Sequence, residues 1–377
     1  MSPVPGPVSP TASLQVRLST PLAPAQAANM QALLRTAVAA NDGHGGGVLQ
    51  LVRADRSVLW AGAVGQLAGA DGPPMPLHAA FEVASITKTF VAALLLQQAA
   101  IGALQLDSPL ARQLEDPALQ ILLPKAAADL RTLRQVLGHR SGLADFWSDG
   151  PAAGRDGNAF LTAFLRDSGH FWRPEETLRY AARLSPVAAP GQRYHYSDTG
   201  YLLLGLLLEE TLQTSLHAAL HTHLFSPLGL RHTYLSYREE PPVSLPLAHR
   251  YEGADDLHAQ LRQSADWASG GLVSTAADLA VFIHALAHDG RLLPPPAVAA
   301  MRLWQPTDRP GLDYGLGLFR LDLPDDLGEL WGHDGHGNSF MYYWPAGDLA
   351  IVGSLNQLDN DWLPLVVAIL RRLTHDK

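Results

Sequence analysis

Phe81-Glu-Val-Ala-Ser85-Ile-Thr-Lys88-Thr-Phe-Val91 lies where the patterning of the chain changes from strand to helix. Upstream, Val48 to Val52 and Val58 to Val64 read as two β runs, and Arg53-Ala-Asp-Arg56 between them is a hairpin signature. Ahead of these, Ala25 to Ala40 carries apolar residues at helical spacing (Met30, Leu33, Leu34, Val38) and stops at Asn41-Asp42-Gly43. Downstream, Thr87 to Ala103 turns helical, and about 200 further residues are mostly helical segments broken by Pro and Gly. Strand signals return only near the C-terminus, at Tyr314 to Leu321, Gly328 to Trp331, Ser339 to Trp344 and Leu349 to Leu355. An amphipathic helix follows over about Trp362 to Leu373.

Strands at both ends around a helical middle predict an α/β (α+β) fold. One antiparallel sheet is assembled from the two termini and flanked by the terminal helices, with an all-helical region inserted. The expected division is a Pro/Ser-rich arm over 1–24 and a single domain over 25–375. Within that domain, a sheet part (about 25–85 and 265–375) holds a helical part (about 86–264).

Composition narrows the chemistry. The 377 residues include no cysteine, which excludes disulfides, thiolate metal sites and a cysteine nucleophile. A formal charge of −9, without a basic stripe, argues against a nucleic-acid partner. The longest apolar runs, Phe90 to Leu106 and Tyr201 to Leu208, are broken by Gln97 and Gln98 or stop at Glu209, short of a membrane span. The N-terminal arm lacks a basic region and an apolar core, so a cytoplasmic location is expected. No cofactor is expected, and the oligomeric state is left open.

Of 27 basic residues only three are lysines, Lys88, Lys125 and Lys377. Lys88 stands three residues after Ser85 at a helix start, a spacing that puts both side chains on one face. A serine hydroxyl becomes a nucleophile when a base takes its proton, and a neutral lysine amine one turn away is such a base. The apolar neighbours Phe81, Val83, Ala84, Phe90 and Val91 favour the uncharged amine. The plainer reading is a helix start with a solvated lysine. Pro190-Gly-Gln-Arg-Tyr-His-Tyr196-Ser-Asp198-Thr-Gly-Tyr201 offers a phenol for proton relay, if a cation lowers its pKa, and a polar side chain two residues on. Taken alone, it is a helix entry capped by Asp198 or Thr199. Trp331-Gly-His333-Asp334-Gly335-His336 opens between two predicted strands, where Gly335 allows close backbone approach to a ligand. A metal site on His333 and His336, or on His217, His221 and His223, is the competing reading. It is disfavoured because H-E-x-x-H is absent.

In this order and at these separations, Ser-x-x-Lys, Tyr-Ser-Asp and His-Asp-Gly resemble the serine β-lactamase and penicillin-binding superfamily. The closest resemblance is to its class C β-lactamase, DD-carboxypeptidase, D-aminopeptidase and esterase branch. Thr132-Leu-Arg-Gln-Val-Leu-Gly-His139-Arg-Ser141-Gly142-Leu143, Ala268-Ser-Gly-Gly-Leu-Val-Ser-Thr-Ala-Ala-Asp278 and Tyr314-Gly-Leu-Gly-Leu are similar to further family signatures. The resemblance implies Ser85 as acylated nucleophile, Lys88 as its proton acceptor and Tyr196 as the relay to the leaving group. The backbone N–H groups of Ser85 and His336 would form an oxyanion hole. His333 and Gly335 match a His-x-Gly variant of Lys-Thr-Gly.

Two departures bear on substrate. Asp198 stands where many relatives carry Asn, so an extra carboxylate is expected to face Lys88. His333 replaces a lysine, which weakens recognition of a penicillin-like carboxylate at neutral pH. Between Asp145 and Ala189, a segment that borders the cleft in the family, Phe146, Trp147, Phe160, Phe164, Phe171 and Trp172 either line an acyl or alcohol pocket or form the core of a lid. The expected function is a serine hydrolase of small esters or amides, most of all an esterase. D-amino-acid peptidase or weak β-lactamase activity, and a non-catalytic penicillin-binding-like module, are the alternatives. An α/β-hydrolase is disfavoured because no G-x-S-x-G elbow occurs.

Overall fold

The computed structural model describes residues 22–39, 44–114, 130–150, 158–260, 264–288 and 290–375. Most of the expected N-terminal arm, together with Lys125 and Lys377, lies outside them. The principal sheet has eight antiparallel strands. From one edge to the other they are Val58–Gly65, Gly46–Arg53, Leu349–Ser354, Ser339–Trp344, Glu329–Gly335, Phe319–Asp322, Leu312–Tyr314 and Gln305–Pro306. The N-terminal hairpin therefore joins the C-terminal strands through Gly46–Arg53 against Leu349–Ser354, with Val48 opposite Ser354 and Arg53 opposite Leu349.

Period-two side-chain alternation sorts this sheet into two cores. Phe340, Tyr342, Trp344, Leu349 and Ile351 face one side. There they pack on Met30 and Leu34 of the helix Pro24–Ala39 and on Val366, Ile369, Leu370 and Leu373 of the helix Trp362–His375. The interleaved Met341, Tyr343, Ala350 and Val352 face the other side and belong to the large core shared with the helical part. Full burial of each large apolar side chain is worth about 1.5–3 kcal/mol. A one-residue register slip would exchange the two faces and forfeit that burial along a whole strand.

At the centre of the second core runs the helix Thr87–Ala100, with every residue from Thr87 to Leu96 buried. A helix apolar on all sides is stable only inside a protein, so the lysine at its start is carried into the interior. The helix Asp198–Leu212 lies alongside and is buried from Thr199 to Leu208. At Gly205 a Cβ would come within 2.5 Å of Ala268 Cβ, so glycine permits this close packing.

Three details depart from the expectations. The run Tyr314 to Leu321 is two strands, Leu312–Tyr314 and Phe319–Asp322, separated by a turn in which Gly317 takes φ +76°. The strand expected to end at Trp331 continues through His333 to Gly335. A small second sheet of Ala80–Glu82, Leu272–Thr275 and Tyr234–Leu235 sits ahead of Ser85.

Candidate active site

Ser85 lies in a single 3-10 turn, Ala84–Ile86, that runs directly into the helix Thr87–Ala100. Ala84 takes φ +46°, a left-handed conformation costly for a residue with a Cβ. The turn is clamped from both sides. Val83 N–H donates to Leu272 O at 2.9 Å, and the Ser339 hydroxyl donates to Val83 O at 2.9 Å. Gly335 sits against this clamp, where a Cβ would lie 2.2 Å from Val83 O and 2.3 Å from Ser339 Oγ.

Lys88 is fully buried and its Nζ has three partners. It donates to Ser85 Oγ at 3.0 Å and to Ser269 O at 2.7 Å, and pairs with Asp198 Oδ1 at 2.5 Å. The charged ammonium is therefore satisfied. A neutral amine fits equally well: it keeps two donors for Ser269 O and Asp198 and presents its lone pair to the Ser85 hydroxyl. The aromatic faces of Tyr196 and Tyr201 lie 4.8 and 5.6 Å from the same nitrogen.

Burial, with the Asp198 charge added, pushes the Tyr196 phenol well above the usual tyrosine pKa, against an opposing effect of the neighbouring Ser85 hydroxyl. The phenol thus rests protonated despite the nearby lysine. The condition that a cation lowers the pKa of this phenol is not met. His139 stacks on it with ring centroids 4.1 Å apart, and also contacts Tyr201 and Tyr314 at 5.2 and 4.8 Å. The His139 Nδ1 accepts from Ser197 N–H at 3.1 Å, fixing the backbone one residue past Tyr196. Burial, then the Lys88 charge, holds His139 neutral, well below the ordinary histidine value.

His333 is buried and neutral as well. Burial and then Lys88 lower its pKa to about 3, against a backbone bond to Asp334 that raises it. In the neutral ring Nδ1 donates to Asp334 O at 2.7 Å and Nε2 accepts from the Tyr314 hydroxyl at 3.2 Å, so both nitrogens are committed inside the protein. His336 is exposed beyond Gly335, and Arg250 Nη1 donates to its carbonyl at 3.4 Å. The histidines weighed for metal do not converge. His221 pairs with Glu239 at 2.8 Å, and His217 Nε2 contacts Ser215 Oγ at 3.2 Å.

Two further buried carboxylates lie near Asp198. Asp145 Oδ1 accepts from Asp198 N–H at 2.8 Å, and Asp266 Oδ1 accepts from Trp147 Nε1 at 3.0 Å. Burial, and then the Asp198 charge, raises both Asp145 and Asp266 to about 7. Trp147 thus reaches the acidic group, whereas Trp172 packs edge-on against Phe160, Tyr180 and His170 and is buried among them. A cavity of about 390 Å³ beside this aromatic cluster is lined by Phe146, Asn158, Phe160, Tyr180, Arg183 and Val187, among others. Neither tryptophan lines it.

The sequence reading assigned no role to Ser269, His139 or Tyr314, although each stands inside a quoted signature. Ser269 contributes only a carbonyl, which no side-chain pattern announces. His139 and Tyr314 act by fixing other groups.

The model of the family described as Beta-lactamase matches residues 29–375. The chain belongs to the Beta-lactamase family. Among its similar proteins is esterase EstB of Burkholderia gladioli, 31% identical over 186 residues, which are 49% of this chain and 46% of the esterase. The chain therefore spans less than half of that relative's length. The solved structure of D-amino acid amidase from Ochrobactrum anthropi SV3, complexed with L-phenylalanine amide, superposes with a TM-score of 0.79 at 26% identity, covering 93% of this chain and 99% of the amidase. A D-stereospecific amidohydrolase from a Streptomyces species gives 0.72 at 28%, covering 90% and 98%. These relatives share the mixed fold of an antiparallel sheet with helices. No helix among the described residues is long and apolar enough to cross a membrane.

Proposed function

We propose that the protein is a serine hydrolase that cleaves small esters or amides through an acyl-enzyme on Ser85. The observation that carries this reading is the Lys88 nitrogen, buried 3.0 Å from Ser85 Oγ and held by Ser269 O and Asp198. In its neutral form Lys88 takes the Ser85 proton as Oγ bonds to the substrate carbonyl carbon. The carbonyl oxygen becomes an oxyanion between the backbone N–H groups of Ser85 and His336. As the tetrahedral intermediate collapses, the leaving alkoxide or amine receives the Tyr196 phenolic proton, and Lys88 returns a proton to the phenol. In deacylation the Tyr196 phenol passes its proton to neutral Lys88 as it takes one from water, whose oxygen attacks the acyl carbon, and Lys88 returns a proton to Ser85 Oγ as it leaves.

Substrate charge follows from the surroundings. With His333 neutral and Asp145, Asp198 and Asp266 grouped about Lys88, nothing among these residues offers a fixed cation to a substrate carboxylate. Neutral esters and amides are accommodated, and penicillin-like carboxylates are disfavoured. The same carboxylates favour a second reading, hydrolysis of amides or peptides bearing a free ammonium group, and the similarity to D-amino acid amidase supports it.

Ser85→Ala is expected to abolish p-nitrophenyl ester turnover and fluorophosphonate labelling while the protein stays folded. Lys88→Arg, which keeps the charge and removes the base, should be nearly as damaging. Labelling that persists at another serine in Ser85→Ala would overturn the assignment. Intact-mass detection of the acyl-enzyme across esters, D-amino-acid amides and β-lactams ranks the substrates.

A further inference from the structure

At the opposite end of the sheet, His284, His288 and Asp348 each offer a ligand atom, and the three atoms lie within 4.8 Å of one another. His284 and His288 stand one helical turn apart on Ala276–His288, with ring centroids 5.9 Å apart. Asp348 follows the turn Pro345–Gly347 between the strands Ser339–Trp344 and Leu349–Ser354. Two features suit this group to a metal ion rather than to a surface ion pair. First, His284 is 5% exposed, its Nε2 bonds to the Val52 carbonyl at 2.9 Å, and its buried Nδ1 has no hydrogen-bond partner. An imidazole that donates one N–H to a backbone carbonyl and holds out the other nitrogen's lone pair is the arrangement of metal-bound histidines. Second, Asp348 Oδ1 already accepts from the Tyr343 hydroxyl and from His288 Nε2, each at 2.8 Å, so the carboxylate is oriented from behind by a phenol.

We infer that His284, His288 and Asp348 form a divalent transition-metal site. Two imidazoles and one carboxylate suit zinc, cobalt or nickel, and water completes the fourth position. Metal–nitrogen distances of about 2.0–2.1 Å place tetrahedral ligand atoms roughly 3.3 Å apart. His288 and Asp348 are 44% and 53% exposed, so they are free to close the remaining gap by rotation. On binding, the His288 Nε2 proton moves to Nδ1 or leaves to solvent.

The site is structural, not catalytic. Tyr343 lies four residues along its strand from Ser339, whose hydroxyl reaches Val83 beside Ser85, and four residues of strand span about 13 Å. A bound ion would clasp the end of the helix to the strand turn and, through Val52, to the N-terminal hairpin.

The test uses the full chain freed of metal with a chelator, then titrated with Co²⁺. One equivalent is expected to bind with the visible absorption of nitrogen-ligated tetrahedral cobalt, to be displaced by Zn²⁺ and to raise the melting temperature. His288→Ala and Asp348→Asn, both at exposed positions, should each weaken binding at least about tenfold, with ester turnover unchanged. Absence of a stoichiometric cobalt spectrum in the wild type, or equal binding in both variants, overturns the assignment. If His284→Ala fails to fold, these two variants still decide the matter.

Discussion

Replacing Gly335 with alanine tests the geometry that joins the nucleophile to the sheet. The added Cβ would sit 2.2 Å from Val83 O, 2.3 Å from Ser339 Oγ and 3.0 Å from Ala84 Cβ. Comfortable contacts between such atoms begin at roughly 3.3–3.5 Å, so the strand Glu329–Gly335 and the Ser85 turn must separate by about 1 Å. Neither side yields easily. Val83 O accepts from Ile86 N–H as well as from Ser339, and Gly335 is in register with Ser339. Overpacking of this kind costs about 1–3 kcal/mol of stability, which lowers the melting temperature by several degrees. The larger effect is on catalysis, because the His336 N–H moves with Gly335. A displacement near 1 Å costs about 10²-fold, and losing one oxyanion donor costs about 10²–10³-fold. Steady-state turnover of p-nitrophenyl butyrate should therefore fall about 10²–10³-fold in Gly335→Ala, measured beside a cooperative thermal melt. Gly290→Ala, where a Cβ meets nothing within 4 Å, should behave as wild type. A folded Gly335→Ala protein retaining turnover within about threefold would refute the proposed role of this contact.

Two further predictions concern charge. Asp145 and Asp266 lose their protons near pH 7, so negative charge grows about Lys88 as pH rises through that value. Selectivity for an acylcholine over its uncharged 3,3-dimethylbutyl analogue should rise several-fold between pH 6 and pH 8, given that a unit charge about 10 Å away contributes at most about 1.7 kcal/mol at an effective dielectric of about 20. Asp266→Asn should flatten the rise, and an unchanged slope would count against a substrate-facing acidic group. Stability carries a second signature. The unfolded chain protonates His139 and His333 below about 6.5, but in the folded protein His333 resists to about 3, so their contribution is full above about 6.5 and is lost as pH falls. Asp145 and Asp266 act oppositely, since the folded state keeps their protons up to about 7 and the unfolded state only to 3.8; that contribution is full below about 3.8 and lost as pH rises towards 7. The two sets offset each other between about pH 4 and 6.5, so the wild-type melting temperature should vary little there. Asp266→Asn should make it fall more steeply on acidification; an identical pH slope in that variant would contradict the compensation.

The sheet was legible because its strands alternate with period two and its flanking helices carry periodic apolar residues. Ser339–Trp344 was read to the residue, and the terminal helices to within a few residues. Where the reading failed, the local signal was weak or overridden. Gly317 looked like one glycine in a strand-like run, but its positive φ makes a turn. The extension to Gly335 owes its strand form to pairing with Ser339–Trp344, not to propensity. The small second sheet is built of strands two to four residues long, too short for periodicity to register. At the site, Ser85, Lys88, Tyr196 and Asp198 were recognisable as side-chain types and do come together. The Ser269 carbonyl and the His139 and Tyr314 contacts depend on backbone placement and packing that a motif does not encode.

The rarity of lysine acquires its physical meaning at Lys88. The chain uses arginine for nearly all its positive charge, yet a guanidinium has five donors, no acceptor and no accessible neutral state. Around Lys88 Nζ the structure supplies two acceptors, Ser269 O and Asp198, and one hydroxyl able to donate, Ser85. That set matches a neutral amine and cannot be matched by arginine. It also accommodates the ammonium, because the hydroxyl reverses its role, so the same three atoms hold Lys88 before and after it takes a proton. Complete burial would make an unpaired ammonium prohibitively costly. Asp198 offsets that cost in the protonated state by supplying a counter-charge that an amide would lack. An amide there would still accept a hydrogen bond, but in the proposed mechanism it would leave the buried ammonium without that carboxylate while the tetrahedral intermediate stands.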